Sequence, residues 1–197
     1  YFCMEYGLHE SLTIFSGGLG VLAGDTLKAA RDEELNLVGI GILWDEGYTE
    51  QRIDDNGKPY DVYPKTNRIT LKPTHLRFNV TIEGRVIPLT AYLQDSFGNA
   101  PLYLLEPIEE ADQWITKRLY AGGSRERVAQ ELLLGVGGVR LLRALDRITN
   151  VYHFNEGHAL FAGLELIREV VAMKPPLPFF CIGGINPSNF KEVLQAG

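Results

Sequence analysis

"YFCMEYGLHESLTIFSGGLGVLAGDTLKAARDEELNLVGIGILW", residues 1–44, decides the fold class. Residues 1–5 read as a short strand, and a loop then leads to Gly17, Gly18 and Gly20. From Leu19 to about Glu34 the apolar residues Leu19, Leu22, Ala23, Leu27 and Ala30 recur at helical spacing. "LVGIGILW", residues 37–44, is apolar on both faces, as expected of a strand buried in a parallel sheet. Strand, glycine loop, helix and strand make a βαβ unit, so the chain is predicted to be an α/β protein.

The middle of the chain has a different rhythm. "YTEQRID" and "RFNVTIEGRVIPLTAYLQ" alternate polar and apolar residues, and Glu83-Gly84 marks a hairpin turn. "PLYLLE", residues 101–106, is a further strand. These segments predict antiparallel β-structure inserted in, or laid along, the α/β core. A long helix is expected from about Arg125 to Leu145, with Val128, Leu132, Val136, Val139 and Leu142 on one face. Gly135, Gly137 and Gly138 within it each cost about 1 kcal/mol against alanine, which close packing on a neighbouring backbone would explain. "NVYHF" reads as a strand, and "NEGH" turns it into the helix "ALFAGLELIREVVAM". The prolines of "KPPLP", residues 174–178, end that helix in an extended junction. "FFCIGGINPSNFKEVLQAG", residues 179–197, is a small strand-loop-helix tail.

Of the 197 residues, 45% are hydrophobic and 22% charged, ordinary values for a chain with one sizeable core. The net charge of −6 argues against nucleic acid or an anionic membrane as partner. No apolar run approaches the roughly 18 residues that span a bilayer. Cys3 and Cys181 lie in apolar runs and read as small buried hydrophobes, which fits a reducing, cytoplasmic setting. The chain opens on strand residues without a basic leader, which reads as a start inside a domain.

Three motifs could carry chemistry. The glycine loop feeds a helix N-terminus, where free amides and the helix dipole favour phosphate or carboxylate. Its spacing matches neither a P-loop nor a dinucleotide fingerprint, so a structural turn competes with a ligand site. "HFNEGH" places Asn155, Glu156 and His158 at the carboxyl edge of a parallel strand, where open α/β folds bind ligands. The competing reading is a helix cap, with Asn155 as N-cap. The motif lacks the i, i+4 histidine pair of a zinc helix, so no metal is expected. In "MEYGLHES", Glu5 ends the first strand and is expected to point into the same crevice, with His9 and Glu10 in the loop beyond; the competing reading is that these are polar groups solvated at the surface.

Taken together, "YFCMEYGLHESLTIFSGGLGVLAGDTLKAA", "LVGIGILWDEGYTEQRID", "ITKRLYAGGSRERVAQELLLGVGGVRLLRAL" and "VYHFNEGHALF" resemble the N-terminal part of the bacterial α-glucan (glycogen/maltodextrin-type) phosphorylases. The resemblance runs from Tyr1 to about Val171 and makes residues 1–173 a partial N-terminal phosphorylase domain. It implies a Rossmann-like half of a glycosyltransferase-B fold. It also implies transfer of glucose from an α-1,4-glucan to phosphate, giving glucose 1-phosphate, with pyridoxal phosphate as cofactor. Gly17, Gly18 and Leu19 would then approach phosphate and sugar through backbone amides, and Glu5, Asn155, Glu156 and His158 would line the glucose side. Two departures stand out. After "RLY" the family carries an acidic residue in a gating loop, and "AGGS" (121–124) has none. Nothing matches the segment holding the lysine that forms the Schiff base with the cofactor. The chain is therefore expected to be a fragment, inactive alone, with no cofactor bound and with exposed cleft surface prone to self-association.

The tail resembles the phosphate-binding element of thiamine-phosphate synthases, in which Gly183, Gly184 and Ile185 would offer amides to a phosphate. One strand and one helix do not make a barrel, so the tail is expected to be a foreign or truncated end. Two alternatives to the fragment remain: a non-catalytic glucan- or sugar-phosphate-binding module, and a remnant or fusion carrying the thiamine-phosphate synthase element.

Overall fold

The computed structural model describes residues 1–172. The first helix, α1, runs Gly18–Asp32. Seven strands follow it: β1 (Gly39–Ile42), β2 (Glu50–Ile53), β3 (Pro59–Val62), β4 (Lys72–Pro73), β5 (Phe78–Ile82), β6 (Arg85–Gln94) and β7 (Leu102–Pro107). After a short 3-10 segment at Glu110–Thr116, a long helical stretch comprises α2 (Ser124–Leu132), a π turn (Leu133–Gly137) and α3 (Gly138–Ala144). The last helix among the described residues, α4, is Leu160–Ala172.

One mixed sheet carries the core. β1 pairs in parallel with β7, and β6 runs antiparallel to β7. β5 and β4 both pair antiparallel with β6, towards its two ends. On the other side of β1 the sheet continues through Phe2, which bridges Ile40 and Phe154 in parallel. Residues 1–5 thus join the sheet, although the two bridges at Phe2 are all the ladder they form and they make no strand. The expected strand "NVYHF" likewise reduces to the bridge at Phe154.

β1 is buried at every position, which explains its lack of a polar face. The hairpin turn falls at Glu83-Gly84, with φ 51° and 76°; two left-handed residues give the twist that matches paired strands. The antiparallel material divides in two. β4, β5 and β6 extend the main sheet, while β2 and β3 form a separate ribbon whose residues are nearly all exposed.

The helical stretch departs from a uniform 3.6-residue period. Its π turn inserts an extra residue into the ladder and rotates the apolar face. Val128 is therefore 46% exposed, while Ala129, Leu133, Leu134, Val139, Leu141 and Leu142 are buried. The glycines inside the stretch do permit close approach. A Cβ on Gly135 would lie 2.5 Å from the Ala162 nitrogen, and one on Gly138 2.5 Å from the Phe2 ring. In α1 the buried face is Gly20, Ala23, Gly24, Leu27 and Ala30, and Leu22 is exposed.

Candidate functional site

Residues 2–7 bring the three sequence motifs together at the carboxyl edge of the parallel strands. Phe2 N donates to the His153 carbonyl and Asn155 N donates to the Phe2 carbonyl, which sets "HFNEGH" beside the first strand. Asn155 Nδ2 donates to Cys3 Sγ at 3.4 Å. The buried Cys3 thiol is pushed up to about 11, chiefly by desolvation, and so stays protonated and unreactive. Cys181 lies outside the described residues.

The main chain reaches the glycine loop from the same segment. Gly7 N donates to the Gly20 carbonyl at 2.7 Å. Glu5 is 2% exposed, and its Oε2 accepts from Ser16 N at 2.6 Å and from Ser16 Oγ at 3.2 Å. Its Oε1 accepts from the Tyr120 hydroxyl at 2.6 Å. Its carboxylate is thus engaged by the protein on both oxygens, and it acts on the loop rather than on open crevice.

The glycines of the loop have different reasons to be glycine. A Cβ on Gly20 would lie 2.5 Å from Phe15 Cβ and 2.9 Å from Glu5 Oε2. One on Gly24 would fall on the Gly7 carbonyl, where α1 packs against that backbone. Gly17 and Gly18 meet nothing within 4 Å, and Gly17 has extended backbone, φ −164° and ψ −153°. Packing therefore demands Gly20 and Gly24 and leaves Gly17 and Gly18 facing open space. No side chain caps the start of α1, so its first amides keep their donor capacity and the positive end of the dipole.

His158 is buried, and its Nε2 accepts from Met4 N at 3.3 Å. Desolvation, then the nearby Arg127 charge, holds it below the usual histidine range; Glu131, Glu156 and Glu5 pull the other way. A neutral ring that accepts on Nε2 carries its proton on Nδ1, which can donate to a ligand. Asn155 does not cap the following helix. The cap position is Glu156, at φ 65° and ψ 174° with no side-chain cap bond, a backbone region that normally admits only glycine.

Tyr120 and Arg127 also belong to this site and carry no motif of their own. The Arg127 guanidinium sits 5.1 Å from the Tyr120 ring centroid and bonds Glu131 at 2.9 Å. Burial and the Glu5 carboxylate hold the Tyr120 hydroxyl well above its ordinary range. Gly183, Gly184 and Ile185 lie outside the described residues. Among the described residues, no three His, Cys, Asp or Glu side chains are grouped to hold a metal ion, and no helix is long and apolar enough to cross a membrane.

No family model matches the chain. It is 41% identical to the maltodextrin phosphorylase of Thermococcus litoralis over 179 residues, 85% of this chain and 21% of that protein. It is 38% identical to the glycogen phosphorylase of Mycobacterium tuberculosis over 191 residues, 87% of this chain and 22% of that protein. A shorter similarity, 47% over 36 residues, is to the thiamine-phosphate synthase of Deinococcus radiodurans, covering 18% of this chain and 13% of that protein. Over most of its length the chain thus resembles the maltodextrin and glycogen phosphorylases, and it spans about a fifth of the length of these relatives.

Proposed function

We propose that residues 1–173 form one wall of a glucan-phosphorylase cleft, half of a glycosyltransferase-B fold with the Rossmann-like topology. The reaction served is transfer of glucose from an α-1,4-glucan to phosphate, giving glucose 1-phosphate. In this reading the amides of Gly17, Gly18 and Leu19 bind phosphate and sugar oxygens. His158 Nδ1, Asn155 and Glu156 meet the glucose hydroxyls, and Glu5 holds the loop in place. The observation that carries the proposal is the open space at Gly17 and Gly18 before an uncapped helix, where packing gives no reason for glycine.

The cofactor that the resemblance implies, pyridoxal phosphate, needs a lysine amine for its Schiff base. Lys28, Lys58, Lys65, Lys72 and Lys117 are none of them buried, and Lys65, Lys72 and Lys117 are paired with carboxylates. The described residues do not fit the carbonyl end of that cofactor. In this reading the described residues supply a binding wall of the cleft and not its cofactor-bearing part. Val21 and Leu22, in the first turn of α1, and Leu160, two residues after His158, are exposed apolar groups beside the site and support self-association in the isolated chain.

Titration with inorganic phosphate and with maltoheptaose tests the proposal. Binding of both by the wild type, lost in Gly18→Val because the side chain blocks approach to the amides, is the expected result. Glucose 1-phosphate release from maltodextrin by the chain alone, at a rate comparable to an intact phosphorylase, would overturn the reading of a binding wall that lacks the cofactor-bearing part. Unchanged affinity in Gly18→Val would reject the loop as the site. Sedimentation that stays monomeric at every concentration would reject self-association.

A further inference from the structure

We infer that Tyr120 is a positioning residue for the glycine loop and acts through Glu5; the inference rests on the reading of that loop as an anion-binding wall. Ser16 immediately precedes Gly17, and its amide and hydroxyl are both held by one oxygen of the Glu5 carboxylate. The other oxygen has the Tyr120 hydroxyl, at 2.6 Å. The carboxylate is thus clamped between a loop and a residue 115 positions away in sequence.

A buried negative charge beneath an anion site is a liability, because it repels the ligand that the amides attract. Three donors offset that charge here, and the tyrosine supplies one of them. Without its hydroxyl, Oε1 keeps no donor in a setting that is 2% exposed. An unpartnered carboxylate oxygen is costly when buried. The carboxylate then either turns and releases Ser16, or stays with its charge less well compensated. Both outcomes weaken anion capture at Gly17 and Gly18.

The ring itself is independently fixed. Tyr120 has left-handed backbone, φ 59°, and an edge contact to Tyr48 at 6.5 Å between centroids. Arg127 lies against the ring and is tied to Glu131. These contacts survive replacement by phenylalanine, so Tyr120→Phe removes the hydroxyl and leaves the packing.

Amide NMR of the full chain, wild type and Tyr120→Phe, with and without inorganic phosphate, provides the test. Hydrogen exchange at Ser16 N is expected to quicken about tenfold, with phosphate affinity about tenfold weaker, the scale of losing one hydrogen bond to a charged group. The amides of Ile40 and Ile42 should not change. Unaltered Ser16, Gly17 and Gly18 amides, or equal affinity in two proteins that both bind phosphate at the loop, would overturn the inference. Equal acceleration at Ile40 and Ile42 would also overturn it, since the hydroxyl would then serve bulk stability. If Ser16 loosens while phosphate leaves the wild-type loop untouched, the anion reading fails and the link from Tyr120 to the loop stands.

Discussion

Met4 and His158, 154 positions apart, share a hydrogen bond in which the Met4 amide donates to the imidazole Nε2. Protonation of that nitrogen removes the acceptor, so the fold requires a neutral ring. Burial, reinforced by Arg127, holds the ring below the usual histidine range. The unfolded chain then binds more protons than the folded one in the interval below about pH 6.5. The stabilisation is fully present above that value and is lost as pH falls through the lower folded value. Thermal melts from pH 8 to pH 5 should fall more steeply for the wild type than for His158→Gln. Parallel curves would show that His158 does not carry the dependence.

The glycines around the loop should separate by experiment. Gly18→Ala places a methyl in open space within the first turn of α1, so stability should be unchanged or rise by up to about 1 kcal/mol. Gly24→Ala drives a methyl into the Gly7 carbonyl and should cost about 1–3 kcal/mol, as overpacking does. Urea denaturation of the two variants compares them directly, and equal losses would remove the distinction between packing and open glycines.

Glu156 should behave in the opposite sense. Its φ of 65° with ψ of 174° is strained for any residue with a Cβ, at about 1–3 kcal/mol. Glu156→Gly is expected to stabilise the fold in denaturant while weakening maltoheptaose binding through loss of the carboxylate. A destabilised variant would mean that the side chain serves the fold.

The helical stretch offers a prediction about packing alone. Gly135→Ala and Gly138→Ala meet the α4 backbone and the Phe2 ring respectively, and each should cost about 1–3 kcal/mol. Gly137→Ala meets only side-chain ends of Leu89 and Leu105, at 3.0 and 3.3 Å, and should cost less. Chemical denaturation of the three variants gives the order.

How far the sequence was legible follows from the range of the interactions involved. The α1–β1 succession, the Glu83-Gly84 turn and the extent of the long helix rest on local periodicity and turn chemistry, and they stand in the structure, whereas the strand expected at residues 1–5 reduces to the bridges at Phe2. The buried face of that helix does not follow its sequence period, because the π turn at Leu133–Gly137 shifts the register between its halves. β3 carries no alternation of its own and exists as the partner of β2. In the site, the glycine loop and "HFNEGH" announce themselves by residue type and spacing. Tyr120 does not, because its part is defined by Glu5, which only tertiary structure brings near.

The bridge of Phe2 to both Ile40 and Phe154 also governs when this sheet can be completed during synthesis. The first strand has a vacant flank until residue 154 has been made, and at about 5–20 residues per second that interval is roughly 8–30 seconds. Through that time the flank of Phe2 that Phe154 will cover is still open, while its pairing to Ile40 can already form.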